Sequence, residues 1–539
     1  GNPFFVEELA RALKETQAIR LNGSYSLEVS AEKLNVPETV QGVLAARMDR
    51  LDGEAKNTLQ IASVIGCELE IPVLEKVSEL KGIRLREQLD ILTGTGFMLF
   101  QTQKETGYTF KHALTRDVAY ETLLKSSRRK LHGEVADSMK QILPRLIETQ
   151  PELLAYHYTE ADLLDEAISY WQLGGEKAIQ RSSNIEAVSH LTKGLELLKD
   201  LPSTSKRIQQ ELELLTTVGP ALMATKGPGA ADVKDVYDRA RALCEQVGQT
   251  SYLFPILFGL WRFYLLRANF DVARDLGEKL LSLVQHGGHT PFLLDAYFAL
   301  GAPSFWRGDF NLAHENFEQV IVLYDPQQHN NHTFLLGQDP LFVCMCYDAF
   351  TQWALGYPDR ALKKIQEAVA MARARNHSFS LAYALFGSAL IYQLRRDENA
   401  TRQWAEEAIA LATDKGFPYF SSMSGILRGW SVAELGNVKE GIAQISQCLR
   451  AWKATESEVN ETYHLALLAE AYRKNGKIEE GLKVLTDALT IVEKNEEHWY
   501  EAELYRLKGD LLLMHDGTEE EVEGCFRRAQ DIARRQNAM

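Results

Sequence analysis

Residues 465–488 read LALLAEAYRKNGKIEEGLKVLTDA and contain two amphipathic segments separated by a glycine. In both segments the apolar and small residues recur at intervals of three and four, which places them on one face of a helix. Gly476 lies between the segments and permits a tight turn. Small residues at Ala469, Gly481 and Ala488 allow two antiparallel helices to approach closely. The stretch therefore predicts a helix–turn–helix unit.

The same turn recurs along the C-terminal half of the chain. Equivalent positions are spaced 40, 48, 40, 40, 40 and 41 residues apart, at Ala268, Gly308, Gly356, Arg396, Gly436, Gly476 and Gly517. A small residue follows five positions after each of the first six turns, at Ala273, Ala313, Ala361, Thr401, Gly441 and Gly481. The pattern resembles the tetratricopeptide repeat, although its period exceeds the usual ~34 residues. We interpret the one long interval as an extra loop around residues 324–332, a polar stretch that includes a proline.

The chain of 539 residues is long enough for several domains. Amphipathic helices in the first part are followed by two short alternating stretches near residues 97–112, a pattern typical of a winged helix with one small β-hairpin. We predict an all-α fold with four regions. They are the C-terminal tail of a nucleotide-binding module (1–32), a winged-helix domain (33–145), a helical linker with degenerate repeats (146–225) and a tetratricopeptide-repeat array (226–539).

Composition and charge narrow the classes of partner. The net charge is −15 and the sequence pI is near 5.5, so the average surface repels nucleic acid and anionic lipid. Six cysteines occur without Cys-x-x-Cys spacing, and no run of about 18 apolar residues is present. We therefore expect a cytoplasmic protein without a membrane partner or a metal site. Because the chain does not begin with methionine, we expect it to be part of a longer polypeptide.

Two motifs in the first part resemble a known family. Residues 1–9, GNPFFVEEL, resemble the glycine-x-proline element that closes the nucleotide-binding module of STAND proteins, the signal-transduction ATPases with numerous domains. Residues 110–117, FKHALTRD, are similar to the methionine-histidine-aspartate motif at the end of their winged helix. The repeats that follow resemble the helical region of large bacterial STAND ATPases, which often lies behind class III adenylate or guanylate cyclase domains. The resemblance covers nearly the whole chain.

The resemblance implies roles for two residues. Pro3 would pack against adenine, and His112 would reach the β-phosphate of ADP. The cofactor, ADP or ATP, would belong to the parent protein, and none is expected for this fragment alone. Lys111 and Ala113 stand where the family usually has methionine and aspartate. The missing carboxylate is expected to weaken the closed, nucleotide-bound form of the protein. The residues alone favour structural roles, in which Pro3 is the first residue of a helix and His112 contributes to packing or hydrogen bonding within the fold.

Catalytic motifs are missing from the sequence. The pattern G-x-x-x-x-G-K-[ST], which cradles phosphates in P-loop ATPases, occurs nowhere in the chain. We therefore predict that this chain alone is not an enzyme, whereas the parent protein would be an ATPase and could carry a nucleotide cyclase. His286 with His289, and His329 with His332, have a spacing compatible with metal binding, but we interpret them as loop histidines.

The repeat array is the expected binding element. Repeat arrays present one set of helices along a concave groove, where aromatic residues can anchor a protein or peptide. Trp353 and Trp499 are the candidate contacts, with core packing as the alternative for each. The favoured hypothesis is that the chain is the sensor half of a STAND switch. Whether the protein oligomerises on activation stays open. The alternative is a repeat scaffold for protein assembly without a nucleotide switch. Direct DNA binding by the winged helix is disfavoured by the acidity.

Overall fold

The structure, a computed structural model, describes residues 3–15, 19–21, 25–27, 39–67, 69–101, 107–248, 251–287, 292–325, 336–375 and 377–538. These ranges contain 27 helices and four short strands, which confirms the predicted all-α class. The chain divides into two compact units, residues 1–174 and 175–539. The division into four functional regions stays a prediction. No helix in the described ranges has both the length and the apolar character required to cross a membrane.

The first unit consists of short helices and two hairpins. Its elements are α1 (Pro3–Glu15), β1 (Ile19–Leu21), β2 (Tyr25–Leu27), α2 (Val40–Met48), α3 (Gly53–Ile65), α4 (Ile71–Ser78), α5 (Ile83–Gly94), β3 (Met98–Gln101), β4 (Gly107–Phe110), α6 (Ala113–Glu121), α7 (Lys125–Ile142), α8 (Pro144–Thr149) and α9 (Pro151–Glu160). Helix α10 (Leu164–Gln180) includes the boundary between the units. Strands β3 and β4 pair antiparallel, with Met98 opposite Phe110, so the predicted hairpin is confirmed. The hairpin of β1 and β2 was not predicted, because three-residue strands are too short to show alternation.

Arg47 joins α1 to the rest of the first unit. Its guanidinium forms ion pairs with Glu8 and Glu15 of α1 and donates to the carbonyl oxygen of Thr95 at 2.6 Å. The same group lies 4.6 Å from the ring centroid of Phe97. Burial alone would lower the pKa of Arg47, but the two carboxylates outweigh it and raise that pKa. Helix α1 is therefore held by a buried charge cluster that spans 39 residues of sequence.

Two buried histidines meet between α7 and α9. The Nδ1 atoms of His132 and His157 lie 2.9 Å apart, and the Tyr120 hydroxyl lies 3.0 Å from His132 Nε2. One proton shared between two facing nitrogens is compatible with this distance, whereas protonation of both rings would place two N–H groups against each other. Burial lowers the pKa of His132 to about 4 and that of His157 to about 3. Both rings are therefore neutral at physiological pH.

The histidine pair predicts a loss of stability in mild acid. Because the folded-state pKa values lie below the unfolded value of about 6.5, the unfolded chain binds more protons between pH 6.5 and 4. Stability should be complete above pH 6.5 and fall by up to about 1.4 kcal/mol per pH unit for each histidine below it. The measurement is urea unfolding of the wild type and of the double variant His132→Gln/His157→Gln from pH 8 to 5. The difference between the two proteins should change with pH, and a constant difference would show that the pair does not control the acid response.

The second unit is an array of paired helices. Its helices are α11 (Asn184–Leu198), α12 (Ser205–Lys226), α13 (Ala231–Val247), α14 (Leu253–Leu266), α15 (Phe270–Gly287), α16 (Leu293–Trp306), α17 (Phe310–Leu323), α18 (Pro340–Ala354), α19 (Pro358–Arg375), α20 (Ser378–Leu394), α21 (Glu398–Lys415), α22 (Pro418–Glu434), α23 (Val438–Lys453), α24 (Glu461–Lys474), α25 (Ile478–Asn495), α26 (Glu501–Leu513) and α27 (Glu519–Gln536). From α14 onward, the helices are alternately the first and the second helix of the predicted repeat.

The predicted turns are observed. The first six predicted turn residues all have positive φ, and the seventh turn places that conformation at Asp516, one residue before the predicted Gly517. Ala268 and Arg396 adopt φ values of 50° and 61°, although the left-handed region costs a side-chain-bearing residue about 1–2 kcal/mol. The six small residues predicted after the turns are buried. At Gly441 a Cβ atom would lie 2.6 Å from the carbonyl oxygen of Gly429, so the close approach of α22 and α23 requires glycine there.

The array winds back on itself. The carbonyl oxygen of Leu266 accepts hydrogen bonds from the backbone N–H groups of Glu458 and Val459, at 2.8 and 3.2 Å. One repeat later, the carbonyl oxygen of Trp306 accepts from His498 and Trp499 at 2.9 and 3.1 Å. The same contact thus recurs after 40 residues on both sides. The first helices of the repeats, called the inner helices below, consequently surround a packed interior.

Aromatic rings fill this interior, with one contributed by each successive repeat. Neighbouring centroids lie 5.4–6.3 Å apart along the series Trp261, Phe298, Tyr347, Tyr383 and Phe420. Most aromatic residues of the inner helices therefore stabilise the winding of the array. Such rings are not free to anchor a partner unless they also reach an accessible surface.

Candidate functional site

His112 lies between β4 and the first residue of α6. Its ring packs against Phe4 of α1, with centroids 4.1 Å apart. Its Nε2 atom is buried and has no hydrogen-bond partner among the described residues. Pro3 begins α1, but its side chain lies outside the described part of the chain. The structure thus brings His112 to the start of the helix that follows the glycine-x-proline element.

The residues on either side of His112 show how its segment is held. Lys111 forms an ion pair with Glu7 of α1, and its hydrogen bond lowers the pKa of that carboxyl group. Ala113 is the first residue of α6. An imidazole N–H beside a helix N-terminus is suited to an anionic oxygen, because both supply hydrogen-bond donors. An Nε2 atom without a partner among the described residues is compatible with the phosphate contact that the sequence resemblance implies.

Trp353 and Trp499 line one groove of the second unit. The groove has a cavity of about 430 Å³ and is formed by residues of α17, α18, α26 and α27 together with Trp499 and Tyr500. Trp353 is partly exposed, whereas only 7% of Trp499 is accessible. The volume falls within the range of about 300–1,000 Å³ that is usual for ligand pockets. The two predicted contacts are thus brought together, 146 residues apart in the chain.

Trp499 also belongs to the interior. Its ring lies 5.4 Å from those of Phe305 and Tyr463 and 5.7 Å from that of Trp306. Its Nε1–H group has no hydrogen-bond partner among the described residues. Trp499 is therefore largely a packing residue whose edge reaches the groove, and Trp353 is the more accessible of the two.

A charged rim borders the groove and was not predicted. The guanidinium of Arg506 donates two hydrogen bonds of 2.7 Å to the carboxylate of Glu503 and one of 2.7 Å to Asp510. The hydrogen bonds that Arg506 donates to Glu503, opposed by burial, raise the pKa of Arg506. In the sequence these residues have the spacing of an ordinary solvated helix face, so no signal marked them. An aromatic floor with a polar rim is the usual arrangement of a protein-binding surface.

The architecture defines an all-α protein of tetratricopeptide-like repeats. Over its whole length the chain is 23% identical to an uncharacterized protein of Rhizobium meliloti (strain 1021), and the match covers 52% of that protein. The chain thus spans about half the length of the curated relative that it matches. No family model matches the chain.

Three solved structures match between 70% and 99% of the chain. A Rap protein in complex with competence and sporulation factor has a TM-score of 0.49 and 13% identity, over 70% of this chain and 98% of that one. A STAND protein with a tetratricopeptide repeat sensor from Pyrococcus horikoshii has a TM-score of 0.35 and 10% identity, over 99% and 68% of the two chains. The Cut9–Hcn1 hetero-tetramer of the APC/C has a TM-score of 0.45 and 13% identity, over 86% and 83%.

Proposed function

We propose that the chain is the regulatory and sensor half of a STAND-type signalling ATPase. In this function a protein or peptide bound by the repeat array controls the nucleotide-dependent activation of an effector on the parent polypeptide. The observation that carries the proposal is the Nε2 atom of His112, which is buried and has no hydrogen-bond partner within the described ranges. It lies beside the start of α1, the helix that follows the segment resembling the nucleotide-closing element.

The residues of the first unit have separate roles in this proposal. His112 donates a hydrogen bond to the β-phosphate of ADP in the closed state and loses that bond in the open state. ADP, held mainly by the nucleotide-binding module of the parent protein, supplies the negative charge for this contact. Arg47 and Lys111 keep α1 attached through Glu8, Glu15 and Glu7 in both states. The switch therefore depends on a contact that can be broken without unfolding the unit.

The Trp353–Trp499 groove supplies the sensor surface. We expect Trp353→Ala to weaken peptide binding by about 2 kcal/mol, or roughly 30-fold, because truncating a central aromatic anchor typically has this effect. Peptides selected on the wild-type chain from a random library provide the probe, and their affinities are measured by fluorescence anisotropy. Trp404→Ala is the matched control, since Trp404 is a partly exposed tryptophan that stacks on Tyr392 outside the groove. Equal losses in the two variants would count against the groove.

A repeat scaffold without a nucleotide switch is the second candidate function. It is favoured by Lys111 and Ala113, which replace the methionine and aspartate of the family motif. Nucleotide content separates the two candidates. The parent polypeptide, purified and then denatured, should release about one ADP or ATP per chain if it is a STAND switch. Absence of bound nucleotide, together with intact peptide binding, would support the scaffold instead.

A further inference from the structure

A small cavity lies among the inner helices of the second unit. Its volume is about 50 Å³, and its wall includes residues of α14, α18, α20 and α22. A space of this size holds roughly three to five water molecules. The wall is mainly aromatic and aliphatic, but it also contains Arg262 and Gln338.

Arg262 is a buried cation that has no carboxylate partner in the described part of the chain. Only 6% of it is exposed, and Nη1 donates its single hydrogen bond within the described residues, to the carbonyl oxygen of Leu336 at 3.0 Å. No carboxylate of the described residues lies within ion-pair distance. The residues of the second unit outside the described ranges include no aspartate or glutamate. Burial lowers the pKa of Arg262 to about 10, so the group remains charged at neutral pH.

Two buried carboxylates of this unit have cationic partners, whereas buried Glu497 accepts hydrogen bonds from Thr462 and from the Asn460 backbone instead. Asp348 is paired with His314 and Lys364, and Glu470 with Arg396. The groups that influence Arg262 are instead the phenols of surrounding tyrosines. A buried charge without a counter-ion is costly, so an anionic ligand would stabilise Arg262.

Gln338 provides a second unsatisfied donor at the same cavity. It is 3% exposed, and its Nε2 atom has no hydrogen-bond partner among the described residues. Arg262 and Gln338 therefore line one cavity, and the rest of its wall is mainly aromatic and aliphatic, including Trp261 and Phe420. This arrangement suits a ligand with a negatively charged end and a small apolar body.

We propose that this cavity binds a small organic carboxylate. Its carboxylate oxygens accept hydrogen bonds from Arg262 and Gln338, and its apolar part contacts Trp261 and Phe420. The planar guanidinium matches a carboxylate better than it matches a spherical anion, because it can donate two parallel hydrogen bonds. The site shares no residue with the Trp353–Trp499 groove, so the proposal is independent of the proposed function.

Propionate is the probe, with propionamide as its neutral isostere. Melting temperature and isothermal calorimetry are recorded on the full chain at constant ionic strength, with sodium chloride as the balancing salt. Propionate should raise the melting temperature in a saturable manner, and propionamide should not. An equal response to propionamide, or no response to propionate up to 50-fold above the ~1 mM affinity expected of so small a ligand, would overturn the proposal.

Variants identify the residues responsible. Arg262→Met should raise the dissociation constant of propionate at least tenfold and leave the melting temperature of the unliganded protein equal to or above that of the wild type, because the uncompensated charge is removed. Gln338→Leu, which retains Arg262, should weaken binding several-fold and remains informative if Arg262→Met does not fold. Unchanged propionate affinity in either folded variant would contradict the site.

Discussion

Arg47→Ala is expected to destabilise the first unit by about 3–5 kcal/mol, the usual cost of leaving a buried charge without its partner. Glu8 is 1% exposed and would lose its buried cation. The substitution also removes the contact with Phe97 and the hydrogen bond to Thr95. We expect α1 to detach before the remainder of the unit unfolds, because the Arg47 cluster includes two of its carboxylates.

Hydrogen exchange on peptides from α1 and α2 measures this effect. Arg84→Ala is the matched control, since Arg84 forms an ion pair with Glu54 in which the side chains are 66% and 47% exposed. Exposed pairs contribute only about 0–1 kcal/mol. Equal protection of α1 from hydrogen exchange in the two variants would show that the buried cluster does not hold the helix.

His112→Ala in the parent polypeptide is expected to accelerate ADP release and to raise effector output without a partner. Loss of a hydrogen bond to a charged group costs about 1–3 kcal/mol, which corresponds to a shift of roughly 5- to 150-fold toward the open state. The readouts are the dissociation rate of a fluorescent ADP analogue and the effector activity of the same preparation.

His112→Phe separates the switch from a structural role. It keeps a ring against Phe4 but has no nitrogen to donate. Under the proposed function both variants release ADP faster, and the phenylalanine variant retains its melting temperature. Unchanged ADP release in both variants, with a lower melting temperature for alanine alone, would identify His112 as a structural residue.

The repeat array could be predicted from the sequence because its determinants are local. Each turn requires a left-handed residue, and each helix pair requires a small residue five positions later. Six of the seven turn positions were therefore located correctly, even where Ala268 and Arg396 replace glycine. The last turn is displaced to Asp516 because a glycine in the sequence does not show which neighbouring residue adopts the strained conformation.

The winding of the array could not be predicted. The hydrogen bonds from Glu458 and Val459 to Leu266 join residues about 190 positions apart, and no local pattern encodes them. The same winding produces the aromatic interior and buries Arg262, which in the sequence is a single arginine within the apolar stretch 253–266. It also explains why Trp499 is both a packing residue and a groove residue, an outcome that the sequence presented as alternatives.

Part of the candidate site in the first unit could be predicted from the sequence, and its role stays a prediction. The sequence indicated His112 as a candidate nucleotide contact and showed that Lys111 departs from the family motif. It could not indicate that Lys111 pairs with Glu7, which is 104 residues away, or that Phe4 covers the imidazole. These contacts depend on how α1 packs against β4 and α6.

The most direct test of the account measures ADP dissociation from the parent polypeptide, with and without a saturating peptide selected for the Trp353–Trp499 groove. A sensor linked to a nucleotide switch must change nucleotide affinity when it binds its partner, and coupling of about 1–3 kcal/mol is typical. We predict that the peptide accelerates ADP release at least about fivefold and that Trp353→Ala abolishes this acceleration. Identical dissociation rates with and without bound peptide would contradict the account.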